Sequence, residues 1–216
     1  MTKIDLWNFS QKGYDRFHKK TNTEWKCLIE GEVLYLAFKF TDSIIDWIFN
    51  FFFLPLPVKP YKKMKVKWYI HAGFRLKWNA IKDDVYNIIL SNKGRIKTVI
   101  ITGHSQGGAL ATLAHELAWF HFKDLNLKTY TFGSPRTVFF RNFKKLSGRF
   151  EGIINYKTKM DIVTNVPPKI LGFKDTGEKV LLGKKRIKIP TPKVIYFAHA
   201  DYGIHMVNEG IDREAL

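Results

Sequence analysis

The sequence predicts an α/β fold, with a mostly parallel central sheet flanked by helices. The apolar, largely β-branched run Val99-Ile100-Ile101 is typical of a buried parallel strand. Residues 109–117, which are apolar on nearly every side and favour helix, follow it closely and predict a buried helix. Further strand-like and helix-like runs alternate on both sides of this pair, which is the arrangement that produces a covered parallel sheet.

The other elements are predicted from the same periodicities. Before the central pair we expect a short helix, a strand and a longer helix, at residues 10–20, 32–40 and 78–90. After it we expect three strands, at residues 127–132, 152–159 and 194–197. With 216 residues, the chain fits one domain, and we expect residues 1–27 to be an N-terminal extension that clamps onto it.

The chain is strongly basic, with a formal net charge of +17 from 36 Lys and Arg against 19 Asp and Glu. Such a charge indicates either an ordinary solvated surface or attraction to an anionic partner. An anionic membrane surface fits this charge, whereas nucleic acid is an unlikely partner because zinc-finger spacing and RNP-like stretches are missing. The sequence gives no indication of the oligomeric state.

The single cysteine, Cys27, excludes an intrachain disulfide, which fits a reducing compartment. The N-terminal stretch carries charges and has no apolar core of the kind that a signal peptide needs. We therefore expect a cytoplasmic or membrane-peripheral location.

The segment Gly103-His104-Ser105-Gln106-Gly107 lies between the central strand and its helix. A sharp turn from strand to helix needs residues without Cβ on both sides, and it exposes the residue at its apex. Ser105 is that residue, and the backbone N–H of Gln106 would then point to where an oxyanion could form. The alternative is a glycine-rich turn with an idle serine.

Together with the stretch Y-T-F-G-S-P-R that ends at Arg136, this segment resembles the class 3 (fungal-type) lipases, a branch of the α/β hydrolases. The resemblance covers roughly residues 28 to 205, and it implies the start of a hairpin at residues 172–182. It implies an α/β-hydrolase fold and a serine hydrolase that cleaves carboxylic esters, with lipids as the expected substrates. The sequence shows no metal-binding cluster and no glycine-rich phosphate loop, so we expect neither a cofactor nor a metal.

The resemblance also implies the partners of Ser105. Asp161, followed by Val163 and two prolines, matches the loop that carries the acid in the family, where a buried carboxylate would orient the imidazole. His199 is the expected base because a tyrosine follows three residues later, as in the family, and His205 is the alternative base. His71 precedes the nucleophile, so chain order argues against it.

Two further features carry over less directly. Thr41 matches the hydroxyl residue that contributes to the family's oxyanion hole, although Lys39 and Phe40 replace the usual Arg and Gly. The apolar residues 43–58 match a region that forms a lid or faces the substrate in the family. The alternative is that these residues pack in the core. They are interrupted by Asp46, Asn50 and prolines, so we do not expect a transmembrane helix.

Two other functions remain open at this point. A small-ester esterase or a thioesterase could use the same scaffold. A catalytically inactive, membrane-binding relative is the other alternative, and the altered residues Lys39 and Phe40 keep it open.

Overall fold

The computed structural model describes residues 1–40, 54–58, 68–139, 147–183, 199–200 and 202–211. Its helices are α1 (Lys3–Phe9), α2 (Ala72–Asn92), α3 (Gln106–His121) and α4 (Tyr202–Asn208). Its strands are β1 (Arg16–His18), β2 (Thr23–Glu30), β3 (Val33–Phe38), β4 (Pro55–Pro57), β5 (Tyr69–His71), β6 (Thr98–His104), β7 (Asn126–Phe132), β8 (Val138–Phe139), β9 (Ile153–Thr158), β10 (Phe173–Lys174) and β11 (Glu178–Leu182).

Within the described residues, the main sheet has the strand order β1-β2-β3-β6-β7-β9-β11. In this sheet, β3, β6, β7, β9 and β11 run parallel to one another. β2 pairs with β3 in antiparallel fashion, and β1 pairs with β2 in the same way. A smaller antiparallel sheet has the order β10-β8-β5-β4. The mostly parallel central sheet that the sequence predicts is therefore confirmed.

Both faces of the main sheet are covered, which explains why its strands are apolar at consecutive positions. Val99 and Ile101 pack in one core cluster with the apolar residues of α2 and α3. Ile100 points the other way, into a second cluster that includes residues of α1 and α4. Each fully buried side chain of this size stabilises the fold by roughly 1.5–3 kcal/mol.

The N-terminal helix differs from the prediction. We expected a helix over residues 10–20, but α1 ends at Phe9 and β1 occupies part of the expected range. Thr2 and Asp5 form a capping box that starts the helix early, because each side chain satisfies a backbone N–H at the first turn. Its apolar residues Leu6 and Trp7 are then buried against the sheet.

Residues 172–182 do not form the start of a hairpin. β10 pairs with β8 in the small sheet, whereas β11 pairs in parallel with β9 in the main sheet. Between them, Gly177 has a positive φ of 66°, and a Cβ there would collide with the carbonyl group of Ile153. The amide of Asn155 donates to the carbonyl oxygens of Thr176 and Glu178, so the turn carries the chain to the sheet edge instead of reversing it.

The remaining predicted elements either agree with the structure or lie outside the described residues. The helix expected at 78–90 is longer and begins directly after β5. Thr41, residues 43–53 of the expected lid and the strand expected at 194–197 lie outside the described residues. Among the helices that are described, none has the length and apolar character needed to cross a bilayer.

Candidate active site

Ser105 lies at the turn between β6 and α3, with φ 53° and ψ −123°. For a residue with a side chain this backbone conformation is strained, and such strain persists only where the surroundings enforce it. The N–H of Ser105 donates to the carbonyl oxygen of Phe132, at the carboxyl end of β7, over 2.8 Å. The strained serine is thus held at the edge where the parallel strands end.

Glycines on both sides make this turn feasible, as the sequence predicts. A Cβ on Gly103 would collide with the backbone of Gly107. A Cβ on Gly107 would in turn collide with the carbonyl oxygen of Phe38, at the end of β3. The first turn of α3 therefore rests directly on the backbones of β6 and β3.

Gln106 is the first residue of α3 and is buried. The first helical bonds are made by the N–H groups of Gly108 and Ala109 to the carbonyl oxygen of Ser105, so the N–H of Gln106 precedes the helical ladder. This N–H, at the positive end of a helix, is suited to bind an anionic oxygen beside Ser105. Thr41, the second predicted donor, lies outside the described residues.

Asp161 follows β9 and is fully buried. Its Oδ1 accepts a hydrogen bond from the N–H of Val163 over 2.9 Å. Its Oδ2 accepts one from the Tyr202 hydroxyl over 2.6 Å and lies 2.9 Å from Nδ1 of His199. The buried carboxylate is therefore compensated by three donors, one of which is the predicted base.

His199 is 2% exposed, and its ring orientation follows from this contact. Because the Asp161 oxygen is an acceptor, Nδ1 carries the proton and donates it, which leaves Nε2 as the basic nitrogen. Nε2 has no hydrogen-bond partner within the described part of the chain. An imidazole with one nitrogen fixed and the other available is the arrangement that a general base requires.

Ser105 and His199 lie at the same corner of the sheet. The ring of His104, next to Ser105, is centred 4.7 Å from that of His199. Gly133 directly follows Phe132, whose carbonyl oxygen accepts the hydrogen bond from the Ser105 N–H. A Cβ on Gly133 would lie 2.9 Å from Cε1 of His199. The Ser105 hydroxyl does not hydrogen-bond Nε2, and such bonds commonly tighten only when substrate is bound.

His205, the alternative base, is in α4 and points elsewhere. Its Nδ1 would lie 3.4 Å from a Cβ placed on Gly183, beyond the end of β11. In the described residues, the structure pairs His199, and not His205, with Asp161.

Sequence reasoning missed three side chains that support the site. Nε2 of His104 lies 2.8 Å from the carbonyl oxygen of His199 and donates to it. Burial, reinforced by the neighbouring His199, lowers the pKa of His104 well below its usual value, so it stays neutral. Trp7 packs edge-on against His104 at 5.0 Å between ring centroids. Tyr202, whose position in the sequence pointed to His199 as the base, donates a hydrogen bond to Asp161 directly.

Arg136, from the second motif, holds the loop that follows Asp161. Its guanidinium donates to the carbonyl oxygens of Asn165 and Pro167, the latter over 3.0 Å. Its Nε also donates to Oδ1 of Asp175 over 2.9 Å. Burial alone would raise the pKa of Asp175, but hydrogen bonds from Lys169 and Lys179 and the charges of Lys157 and Arg136 lower it well below its usual range.

The part of the chain that the structure describes contains no group of three or more His, Cys, Asp or Glu side chains that could hold a metal ion. The site is instead composed of a strained serine, a fixed imidazole, a buried carboxylate and a helix N-terminus. This combination, on a mostly parallel sheet, defines the chain as an α/β hydrolase with a nucleophile-elbow serine.

Comparison with known proteins specifies this class further. The model of the lipase (class 3) family matches residues 35–171, which is more than half of the chain. The chain therefore belongs to the class 3 lipase family. It is similar to a lipase of Rhizopus niveus, with 32% identity over 177 residues that cover 76% of this chain and 42% of that protein.

Solved structures agree on the fold. Lipase II from Rhizopus niveus superimposes with a TM-score of 0.69 and 24% identity, covering 87% of this chain and 78% of that one. A triacylglycerol lipase whose catalytic centre is described as a serine protease triad superimposes with a TM-score of 0.63 and 26% identity, covering 76% of this chain and 63% of that one. The chain thus spans under half the length of the curated relative from Rhizopus and larger fractions of these two structures.

Proposed function

We propose that this chain hydrolyses carboxylic esters of lipids through an acyl-enzyme formed on Ser105, with His199 as base and Asp161 as the residue that orients it. One observation carries the proposal. The His199 imidazole is fixed through Nδ1 by the buried Asp161, while Nε2 has no partner among the described residues at the corner where Ser105 lies.

The chemistry follows from these positions. Ser105 Oγ attacks the ester carbonyl carbon while Nε2 of His199 takes the hydroxyl proton, and the carbonyl electron pair moves onto oxygen. The N–H of Gln106, together with Thr41, stabilises that oxyanion, and each such donor contributes about 3–4 kcal/mol. His199 returns the proton to the leaving alkoxide, and water then releases the acyl group by the same steps.

Lipid is the proposed substrate class for two reasons. The similar proteins include a lipase from Rhizopus niveus and a triacylglycerol lipase. The chain also carries a net charge of +17 and the apolar stretch 43–58, which together suit a lipid surface better than a small soluble ester.

The first prediction concerns Ser105. We expect Ser105→Ala to lower the turnover of a soluble aryl ester by at least about a thousandfold, because the acyl-enzyme cannot form. A fluorophosphonate probe should label Ser105 in the wild type, as located by peptide mapping, and should not label the variant.

Ser134→Ala is the matched control, since Ser134 is also buried and lies against the first turn of α3. We expect it to retain both labelling and turnover. Equal turnover in wild type and Ser105→Ala would refute the mechanism, and turnover no higher than the uncatalysed rate in both would favour an inactive, membrane-binding relative. A preference for short soluble esters or thioesters over long-chain esters would replace the lipase function by that of an esterase or thioesterase.

A further inference from the structure

A short turn beyond Asp161 presents apolar side chains to solvent. Lys169, Ile170 and Leu171, here called the acid-loop tip, form a single 3-10 turn between β9 and β10. Ile170 is 93% exposed and Leu171 is 48% exposed. An isoleucine so fully exposed gains nothing from the fold of its own chain, so its apolar surface is available to a partner.

The acid-loop tip is held in place from both ends. The N–H of Leu171 donates to the carbonyl oxygen of Pro168 over 3.1 Å, and that of Gly172 donates to Lys169 over 2.9 Å. Gly172 has a φ of 94°, and a Cβ there would lie 2.5 Å from the ring of Phe139. At the other end, the Arg136 guanidinium binds the carbonyl oxygens of the preceding loop. Because the turn is already ordered, docking it would cost little conformational entropy.

Several cationic side chains lie beside the acid-loop tip. The carboxylate of Asp175 is paired with four of them: Arg136, Lys157, Lys169 and Lys179. Four positive groups against one carboxylate leave an excess of three positive charges in this cluster. Burial, together with the charges of Lys179 and Arg136, lowers the pKa of Lys157 to about 8 against the attraction of Asp175. Lys174 lines a small cavity together with Arg136, Lys157 and Lys179, and it adds to the positive charge of the cluster.

We propose that the acid-loop tip is a docking surface for an anionic phospholipid bilayer. Ile170 and Leu171 enter the region between headgroups and acyl chains, while Lys169 and Lys179, whose side chains are 58% and 38% exposed, bind the phosphates. The combination of an apolar insertion with a basic surround is the two-part attachment that holds peripheral proteins on anionic membranes. This inference rests on the proposed function, because the docked turn follows Asp161 on the same loop and would bring the proposed active site to the lipid surface.

The alternatives fit less well. A second copy of this chain would carry the same excess positive charge, so contact between two acid-loop tips would be repulsive. Nucleic acid would use the lysines, but it offers no apolar environment for an isoleucine that is 93% exposed. Of these three partners, an anionic lipid surface is the one that satisfies both features of the turn.

The test is the binding of Ser105→Ala protein to vesicles, so that ester hydrolysis does not alter them. Vesicles of phosphatidylcholine with phosphatidylglycerol are compared with vesicles of phosphatidylcholine alone in a flotation assay. We expect Ile170→Ser with Leu171→Ser to weaken binding to the anionic vesicles about tenfold or more, as befits the loss of two inserted side chains. Lys169→Gln should weaken it less and reduce its dependence on salt.

The matched control is Leu76→Ser with Leu90→Ser, which replaces two apolar residues of α2 that are 64% and 48% exposed. We expect this control to bind the anionic vesicles as the unaltered protein does. Equal binding by the tip variant and this control would overturn the proposal, as would equal binding to both kinds of vesicle. A tip-dependent dimer without vesicle binding would overturn it in favour of a second copy.

The outcome is separable from that of the proposed function. In a background with Ser105 intact, the tip variant should hydrolyse a soluble aryl ester at the wild-type rate. If the wild type has no esterase activity but the tip variant still loses vesicle binding, the docking surface stands and the proposed function fails.

Discussion

At the scale of single residues, the environment of each side chain decides its role. His199 and His205 are six residues apart and chemically identical, and the sequence leaves the choice of base between them open. The structure pairs His199 with the buried Asp161 and turns His205 towards Gly183. A carboxylate that is fully buried needs its donors, so His199 cannot leave Asp161 without leaving a charge poorly compensated.

This difference gives the second prediction. We expect His199→Ala to lower kcat for a soluble ester by about a thousandfold or more, because no group then takes the serine proton. His205→Ala should stay within a few-fold of the wild type. Steady-state kinetics on the two variants, with circular dichroism as a check on folding, make the comparison. The reverse order of effects would assign the base to His205.

Supporting residues at this scale could be predicted only in part. Tyr202 is identifiable from its position three residues after His199, but its hydrogen bond to Asp161 joins residues 41 positions apart. His104 precedes the nucleophile, and the sequence gives no sign that it holds the carbonyl group of His199, 95 positions away. Contacts over such separations depend on the path of the chain and not on local pattern.

At the scale of elements, the turn between β6 and α3 is the part that local sequence specifies best. Two of its glycines allow backbones to approach where a Cβ would collide, and this could be stated from the motif alone. The N-terminal helix is the opposite case. Its early start depends on a capping box at Thr2, and its burial depends on Trp7 reaching His104 and Tyr202.

The third prediction tests the close contact at this turn. Gly107→Ala would drive a methyl group into the carbonyl oxygen of Phe38, so we expect it to lower the free energy of unfolding by about 3 kcal/mol or more. Urea denaturation measures the loss. Gly94→Ala is the control, because a Cβ there meets nothing within 4 Å and should change stability by less than about 1 kcal/mol. Similar effects of both substitutions would contradict the packing described here.

At the scale of the whole molecule, burial of histidines couples stability to pH. Burial lowers the pKa of His71 to about 4 and that of His115 to about 4, from about 6.5 in a free side chain. Between these values the unfolded chain binds protons that the folded chain excludes, so stability falls as the pH falls. Their contribution is complete above about pH 6.5 and is lost on acidification towards pH 4.

This gives the fourth prediction. Urea denaturation between pH 7 and pH 4 should show a decline in which each of these histidines contributes at most about 1.4 kcal/mol per pH unit. His115→Gln should make the decline less steep, because one buried basic group is removed. His205→Gln, at a partly exposed position, should leave the slope unchanged. A slope that His115→Gln does not alter would show that other groups control the pH dependence.

By itself, the sequence determined the class of fold and the strand and helix that carry Ser105, and its resemblance to the class 3 lipases indicated the loop that carries Asp161. These depend on local periodicity and on short motifs, which act over a few residues. Tertiary structure decided which histidine meets Asp161, that residues 172–182 divide between two sheets, and that Tyr202, His104 and Arg136 support the site. Such choices depend on burial and on hydrogen bonds between distant residues, because a buried charge or polar group must find its partner wherever the folded chain brings one.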